Sequence, residues 1–107
     1  MSKKIKTIPI TMEDVAFIFN SSLEEFYYVT SHCYCIQCRN KYDSTITNYK
    51  IALNNLYDLE LDGFCETCNH KMGRYVETGE TPSTAKNAKA LWKTYKALKE
   101  LKIKRQK

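Results

Sequence analysis

A chain of 107 residues, 43% hydrophobic and 27% charged, has enough apolar side chains for one small core and too many to be disordered throughout. No stretch approaches the roughly 18 consecutive apolar residues that cross a bilayer, and five cysteines are an odd number, so complete internal disulfide pairing is excluded. The net charge of +5 is unevenly spread: residues 1–10 hold three Lys and no acid, residues 11–70 three basic and nine acidic side chains, and residues 71–107 eleven basic and three acidic. Such an imbalance suits an anionic partner, nucleic acid above all, or serves solubility alone.

Residues 1–10 end in Ile8-Pro9-Ile10 and read as a basic arm or an edge strand. A short helix is expected over residues 11–23, with Thr11 and Asp14 as capping partners and Met12, Val15, Ala16, Phe19 and Leu23 on one face. Asn20-Ser21-Ser22 should end or fray it. Glu25 to Tyr34 is aromatic or β-branched and reads as a strand, with Tyr27, Val29, Ser31, Cys33 and Cys35 sharing a face at period two. Ser44 to Ile51 reads as a second strand and Asn54-Asn55 as the turn after it. Tyr57, Leu59 and Leu61 then alternate with Asp58, Glu60 and Asp62, a strand with one apolar and one acidic face. Paired carboxylates can do acid–base work, but period-two spacing is better explained as a solvated face. Gly63 is expected to relax the backbone, and Met72 to Glu77 to form a closing strand in which Gly73 weakens pairing or marks a bulge.

Residues 77–80 form a break, and a long helix is expected over 81–104, with Thr81 as N-cap and Pro82 at its first position. At 100° per residue Ala88, Leu91, Trp92, Tyr95 and Leu98 make an apolar stripe beside a basic one of Lys86, Lys89, Lys93 and Lys96. The last turns, through Lys104, Arg105 and Lys107, are basic nearly all round and read as frayed.

The strongest pattern lies between these helices. Cys35-Ile36-Gln37-Cys38 and Cys65-Glu66-Thr67-Cys68 are two Cys-x-x-Cys pairs separated by twenty-six residues. Each pair can curl round one side of a tetrahedral ion, and four soft, charged thiolates suit a structural Zn²⁺, one per chain. Asn40 and Asn69 tolerate the left-handed backbone that a knuckle needs, and Lys41 and Lys71 each follow the second Cys of a pair by three residues. Cys33 reads as a buried free thiol, with a substitute ligand or redox partner as alternatives; His32 and His70 are reserve ligands.

From about Tyr27 to Glu77 the chain resembles the zinc-ribbon superfamily, in which two knuckles on β-hairpins share one zinc. The resemblance implies a ribbon over 25–78 with Cys35, Cys38, Cys65 and Cys68 as ligands. Many zinc ribbons serve transcription, replication or translation machinery, and others hold protein surfaces together. This chain departs from the pattern in lacking Gly after either pair and in carrying the additional Cys33.

The expectation is therefore an α+β domain over 1–107: a small antiparallel β zinc ribbon with a short N-terminal helix and a long amphipathic C-terminal one. Its partner is expected to be nucleic acid, DNA or RNA, at Lys86, Lys89, Lys93 and Lys96. The alternative is a protein-interaction module (an adaptor, subunit or small inhibitor). No membrane, no small-molecule substrate and no enzymatic activity are expected, since four Cys close the metal shell and neither His sits in a catalytic constellation. The basic amino terminus leads into no apolar leader segment, and thiolate ligation suits a reducing, cytoplasmic setting.

Overall fold

A computed structural model describes residues 6–39, 41, 43–79 and 81–105, with side chains as far as Leu101. Its elements are β1 (Thr7–Ile10), α1 (Met12–Ile18), α2 (Glu24–Thr30), β2 (Ile46–Asn54), β3 (Leu59–Cys65), β4 (Lys71–Val76) and α3 (Pro82–Arg105). The strands form one antiparallel sheet in the order β1-β2-β3-β4, so the fold is α+β and β1 is the edge strand that its sequence suggests. Among the described residues no helix is long and apolar enough to cross a membrane.

One face of the sheet is apolar in every strand. Ile8 and Ile10 stand beside Leu53 and Ile51, which stand beside Leu59 and Leu61, with Val76 beyond. These side chains join Val15 and Ile18 of α1, Phe26 of α2, and Ala88 and Trp92 of α3 in a single buried cluster. The opposite face carries Pro9, Lys50, Asp62 and Tyr75, all exposed.

Strict alternation would put Ile46 and Ile51, five residues apart, on opposite faces of β2, yet both are buried. A β-bulge resolves the conflict. Thr47 pairs with Phe64 and Lys50 with Asp62, so Asn48 and Tyr49 together stand opposite Gly63. Asn48 takes the left-handed conformation there, at φ 48°. A Cβ on Gly63 would lie 2.6 Å from the Thr47 carbonyl oxygen and 2.8 Å from the Tyr49 Cα. Gly63 is thus required by close backbone approach, where the sequence reading gave it only freedom to turn. Gly73, in contrast, sits in regular pairing with Asp62 and marks no bulge.

The segment read as a strand over Glu25–Tyr34 is α2 instead. Tyr28 is exposed although Phe26 and Thr30, two residues to either side, are buried, which period two forbids; Tyr27 and Ser31, expected to face inward with Cys33, are exposed. Leu23, Phe26 and Thr30 recur at helical spacing, and Glu24 and Glu25 lie in the first turn, where the helix dipole favours them. Phe26 packs near Phe19, Tyr27 and Tyr49, with ring centroids 6.3, 5.5 and 6.2 Å away. Burial of that face outweighs the weak strand preference of aromatic and β-branched residues.

The first helix has the expected capping box between Thr11 and Asp14 but stops at Ile18. Asn20 and Ser21 end it with φ of 56° and 67°. Its carbonyl end is held from afar: Asn87 of α3 donates to Phe17 O at 3.1 Å, Ile18 O at 3.2 Å and Asn20 Oδ1 at 3.1 Å. Tyr95 donates to Asp14 at 2.8 Å near the other end, so α3 grips α1 at both ends. Trp92 is only 7% exposed and meets Tyr57 edge-on, ring centroids 6.3 Å apart. The inward stripe ends at Tyr95, because Leu98 is exposed.

The turn between β2 and β3 is built by Asn54, whose Oδ1 accepts from Leu56 N and Asp58 N while Nδ2 donates to Glu60. Tyr57 belongs to this turn, not to β3, with φ 69°. Asp58 accepts from Thr78 N, so Asp58 and Glu60 are structural acceptors, and only Asp62 keeps the freely solvated role expected of all three.

Trp92→Ala should lower stability by about 3–5 kcal/mol, as other large-to-small core changes do, and Gly63→Ala by about 1–3 kcal/mol through overpacking. Urea unfolding measures both. Values within about 0.5 kcal/mol of the parent protein would mean that the Trp92 contact or the bulge does not exist in solution.

Candidate metal centre

The two Cys pairs occupy equivalent turns. In the first, Arg39 N donates to Cys35 O at 2.8 Å; in the second, Asn69 N donates to Cys65 O at 2.8 Å. Each turn closes on a left-handed residue, Arg39 at φ 54° and Asn69 at φ 62°. Asn69 was expected in that role. Asn40 lies outside the described residues, and counting one position past Cys38, as Asn69 stands to Cys68, leads to Arg39.

Each knuckle stands on a paired stem. The second caps the β3–β4 hairpin, where Cys65 N donates to His70 O at 2.8 Å. The first follows α2, and its stem is one antiparallel bridge, with Cys33 N donating to Ser44 O at 2.8 Å and Ser44 N to Cys33 O at 3.0 Å. A further bond, Glu66 N to Thr45 O at 2.9 Å, ties the second knuckle to the chain entering β2. The sequence reading saw no role for Ser44 or Thr45 here, since nothing in residue type marks a single bridge.

These stems bring four sulfurs together. Cys35 Sγ lies 3.5 Å from Cys68 Sγ and Cys38 Sγ 3.8 Å from Cys65 Sγ, and all four sit within 4.8 Å of one another. Disulfide sulfurs would be about 2.05 Å apart. A tetrahedral ion with bonds of about 2.3 Å to sulfur needs edges of about 3.8 Å, close to the Cys35–Cys68 and Cys38–Cys65 separations. The first Cys of each pair is buried, Cys38 is half-buried and Cys68 is exposed, so the cluster opens to solvent on one side only. The four clustered cysteines are compatible with a zinc ribbon, although the first knuckle follows a helix and stands on a bridge outside the four-stranded sheet.

The cluster's own electrostatics call for a cation. Backbone N–H groups of Cys68 and Thr67 hold the Cys65 thiol down at about 6, against the opposing effect of burial. Cys38 is pushed up to about 12, first by its hydrogen bond with Cys68 and then by burial. One thiolate forms readily, and Cys38 and Cys68 resist adding charge beside it; a divalent ion reverses that balance.

Cys33 stays out of the cluster. Its Sγ donates to Val29 O at 3.2 Å and Thr30 O at 3.6 Å, and burial pushes its thiol up from the ordinary value. It is the buried, protonated thiol that the sequence suggested. His32 stacks on Tyr28, ring centroids 4.0 Å apart, with Nδ1 2.7 Å from Tyr28 O, and His70 is exposed. Lys86, Lys89, Lys93 and Lys96 are all exposed on α3, and the cluster includes none of them. No protein family, characterised protein or solved structure matches this chain.

One thiophilic divalent ion per chain is expected in the purified protein, with loss of cooperative unfolding in a strong chelator. Cys65→Ser should abolish loading and Cys33→Ser preserve it; metal analysis showing loss in Cys33→Ser would move the first half-site to Cys33. Acid should release the ion. The lowered Cys65 thiol favours the folded state above its ordinary value of 9.0, and that contribution fades as pH falls through about 6. Metal loading that does not weaken at any acid pH, read with a colorimetric chelator, contradicts thiolate ligation.

Proposed function

We propose that this protein is a small zinc-stabilised binding domain that contacts nucleic acid through α3. Zinc is the ion best suited to four thiolates in a closed tetrahedron, and with all four positions taken by Cys no site remains for a reacting water. The role is therefore binding and not catalysis.

The observation that carries the nucleic-acid reading is the outer face of α3. Lys86, Lys89, Lys93 and Lys96 are exposed and fall within an arc of about 80° at 100° per residue. They lie beside the side that buries Ala88 and Trp92, on an arc centred about 100° from it. Cations fixed along one rigid helix and separated from the acidic sheet suit a row of backbone phosphates, which carry affinity without reading sequence. A helix that docked on a protein through its aromatic stripe would leave Trp92 and Tyr95 uncovered; here Trp92 packs on Tyr57 and Tyr95 on Asp14.

Binding should be weakly sequence-specific and fall steeply with salt, with a log–log slope near −3.6 on duplex if four phosphates are neutralised at about −0.9 each. Replacing Lys89 and Lys93 by Ala should flatten that slope by roughly two and weaken all sequences alike, with unfolding unchanged. Asp62→Asn should tighten binding or leave it as it was. No retardation of single- or double-stranded DNA or RNA at low salt removes the reading and leaves a protein-interaction module, which the exposed Leu98 and Leu101 would favour.

A further inference from the structure

Among the described residues, the stretch of α3 after Tyr95 is uncovered. From Lys96 to Leu101 every residue is exposed, Leu98 to 51% and Leu101 to 46%. Leu91, Thr94, Leu98 and Leu101 recur at intervals of three, four and three, which aligns them as a narrow seam along the helix. By helical geometry the seam is centred more than about 90° from the lysine stripe. The four residues that follow bring three more cations, Lys102, Lys104 and Arg105.

A groove of opposite character lies beside the β2–β3 turn. Leu56 and Tyr75 line it, 75% and 63% exposed, together with Asp58, Glu60 and Glu77; among the described lining residues Lys6 is the one cation. The acids are already oriented: Asn54 Nδ2 holds Glu60 at 3.0 Å and Thr78 N holds Asp58 at 3.3 Å.

We propose that the end of α3 docks into this groove on a second copy of the chain, with Leu98 and Leu101 covering Leu56 and Tyr75 and the basic turns facing Asp58, Glu60 and Glu77. The end of α3 cannot reach the groove of its own chain. The start of α3 is tied there, since Thr78 bonds Asp58 through its N–H and accepts at its carbonyl from Thr84. At about 1.5 Å per residue, Leu98 and Leu101 lie roughly 24–28 Å further along a rigid helix. Pairing two α3 ends with each other would bring cation against cation, whereas the groove supplies the complementary charge. Such a contact is heterologous: each copy offers its helix end to one neighbour and its groove to another, so assembly continues or closes into a ring. The lysine stripe stays free, and the inference stands apart from the nucleic-acid reading.

Sedimentation of the full chain over a range of concentrations is the test. Association should grow with concentration at low salt and weaken as salt is added. Leu98→Ser with Leu101→Ser blocks the helix end, and Tyr75→Ser with Glu77→Lys blocks the groove. Both variants should be monomeric with unchanged thermal unfolding, since all four side chains are exposed. Mixed together, they should form a one-to-one pair that grows no further, because one retains a groove and the other a helix end. A monomeric parent protein at low salt, a groove-blocked variant that still associates, or a mixture that stays monomeric overturns the proposal.

Discussion

The parity of β2 governs this molecule. A strand has two faces, and the chain needs Ile51 and Leu53 under the helices and Ile46 beside the cysteines, all on one side. An odd separation forbids that in a regular strand. The extra residue at Asn48–Tyr49 restores it, and Gly63 leaves room for the two backbones to close. Cys65, four strand residues beyond Leu61 on the same face, then pairs with Ile46 and points toward the first knuckle. Remove the bulge and either the core or the sulfur cluster is on the wrong side of the sheet.

The sulfur cluster depends on that register and supports it in turn. The first stem is short: among the described residues its strand pairing is the Cys33–Ser44 bridge. A divalent ion shared between knuckles would couple α2 and the entry to β2 to the β3–β4 hairpin more tightly than those bonds do. Four thiols in contact, one lowered to about 6 and another raised to about 12, form an unbalanced site that a cation neutralises.

What could be read from the sequence follows from how local its cause is. Thr11 and Asp14 act on neighbours, and the cap formed as read; Pro82 opens α3 for the same reason. The cysteine pairs announced the cluster because each knuckle is a local turn and only the closure is distant. The α2 segment misled because its residues prefer strands weakly, while its true determinant, Phe26 among Phe19 and Tyr49, is tertiary. A bulge suggested itself at Gly73, yet it lies at Asn48–Tyr49 opposite Gly63, since a glycine declares no partner. Asn87 also went unnoticed. Its acceptors lie 67 to 70 residues back in the chain, and no pattern near Asn87 shows them.

That clasp divides the molecule in a way the sheet does not. β2, β3 and β4 are joined by short turns and assemble from nearby chain, whereas α1 is fastened to α3 by contacts that must close most of the polypeptide into a loop. The helical layer is therefore the last part to settle and the first to lift. When it lifts, the hairpins and both knuckles can stay whole while Leu53 and Leu59 meet water. Openings along the α1–α3 seam would expose the sheet's apolar face while α2, whose Val29 and Thr30 carbonyls hold Cys33, stays with the knuckles, so the protein's weak plane and its anchored end lie in different parts of the fold.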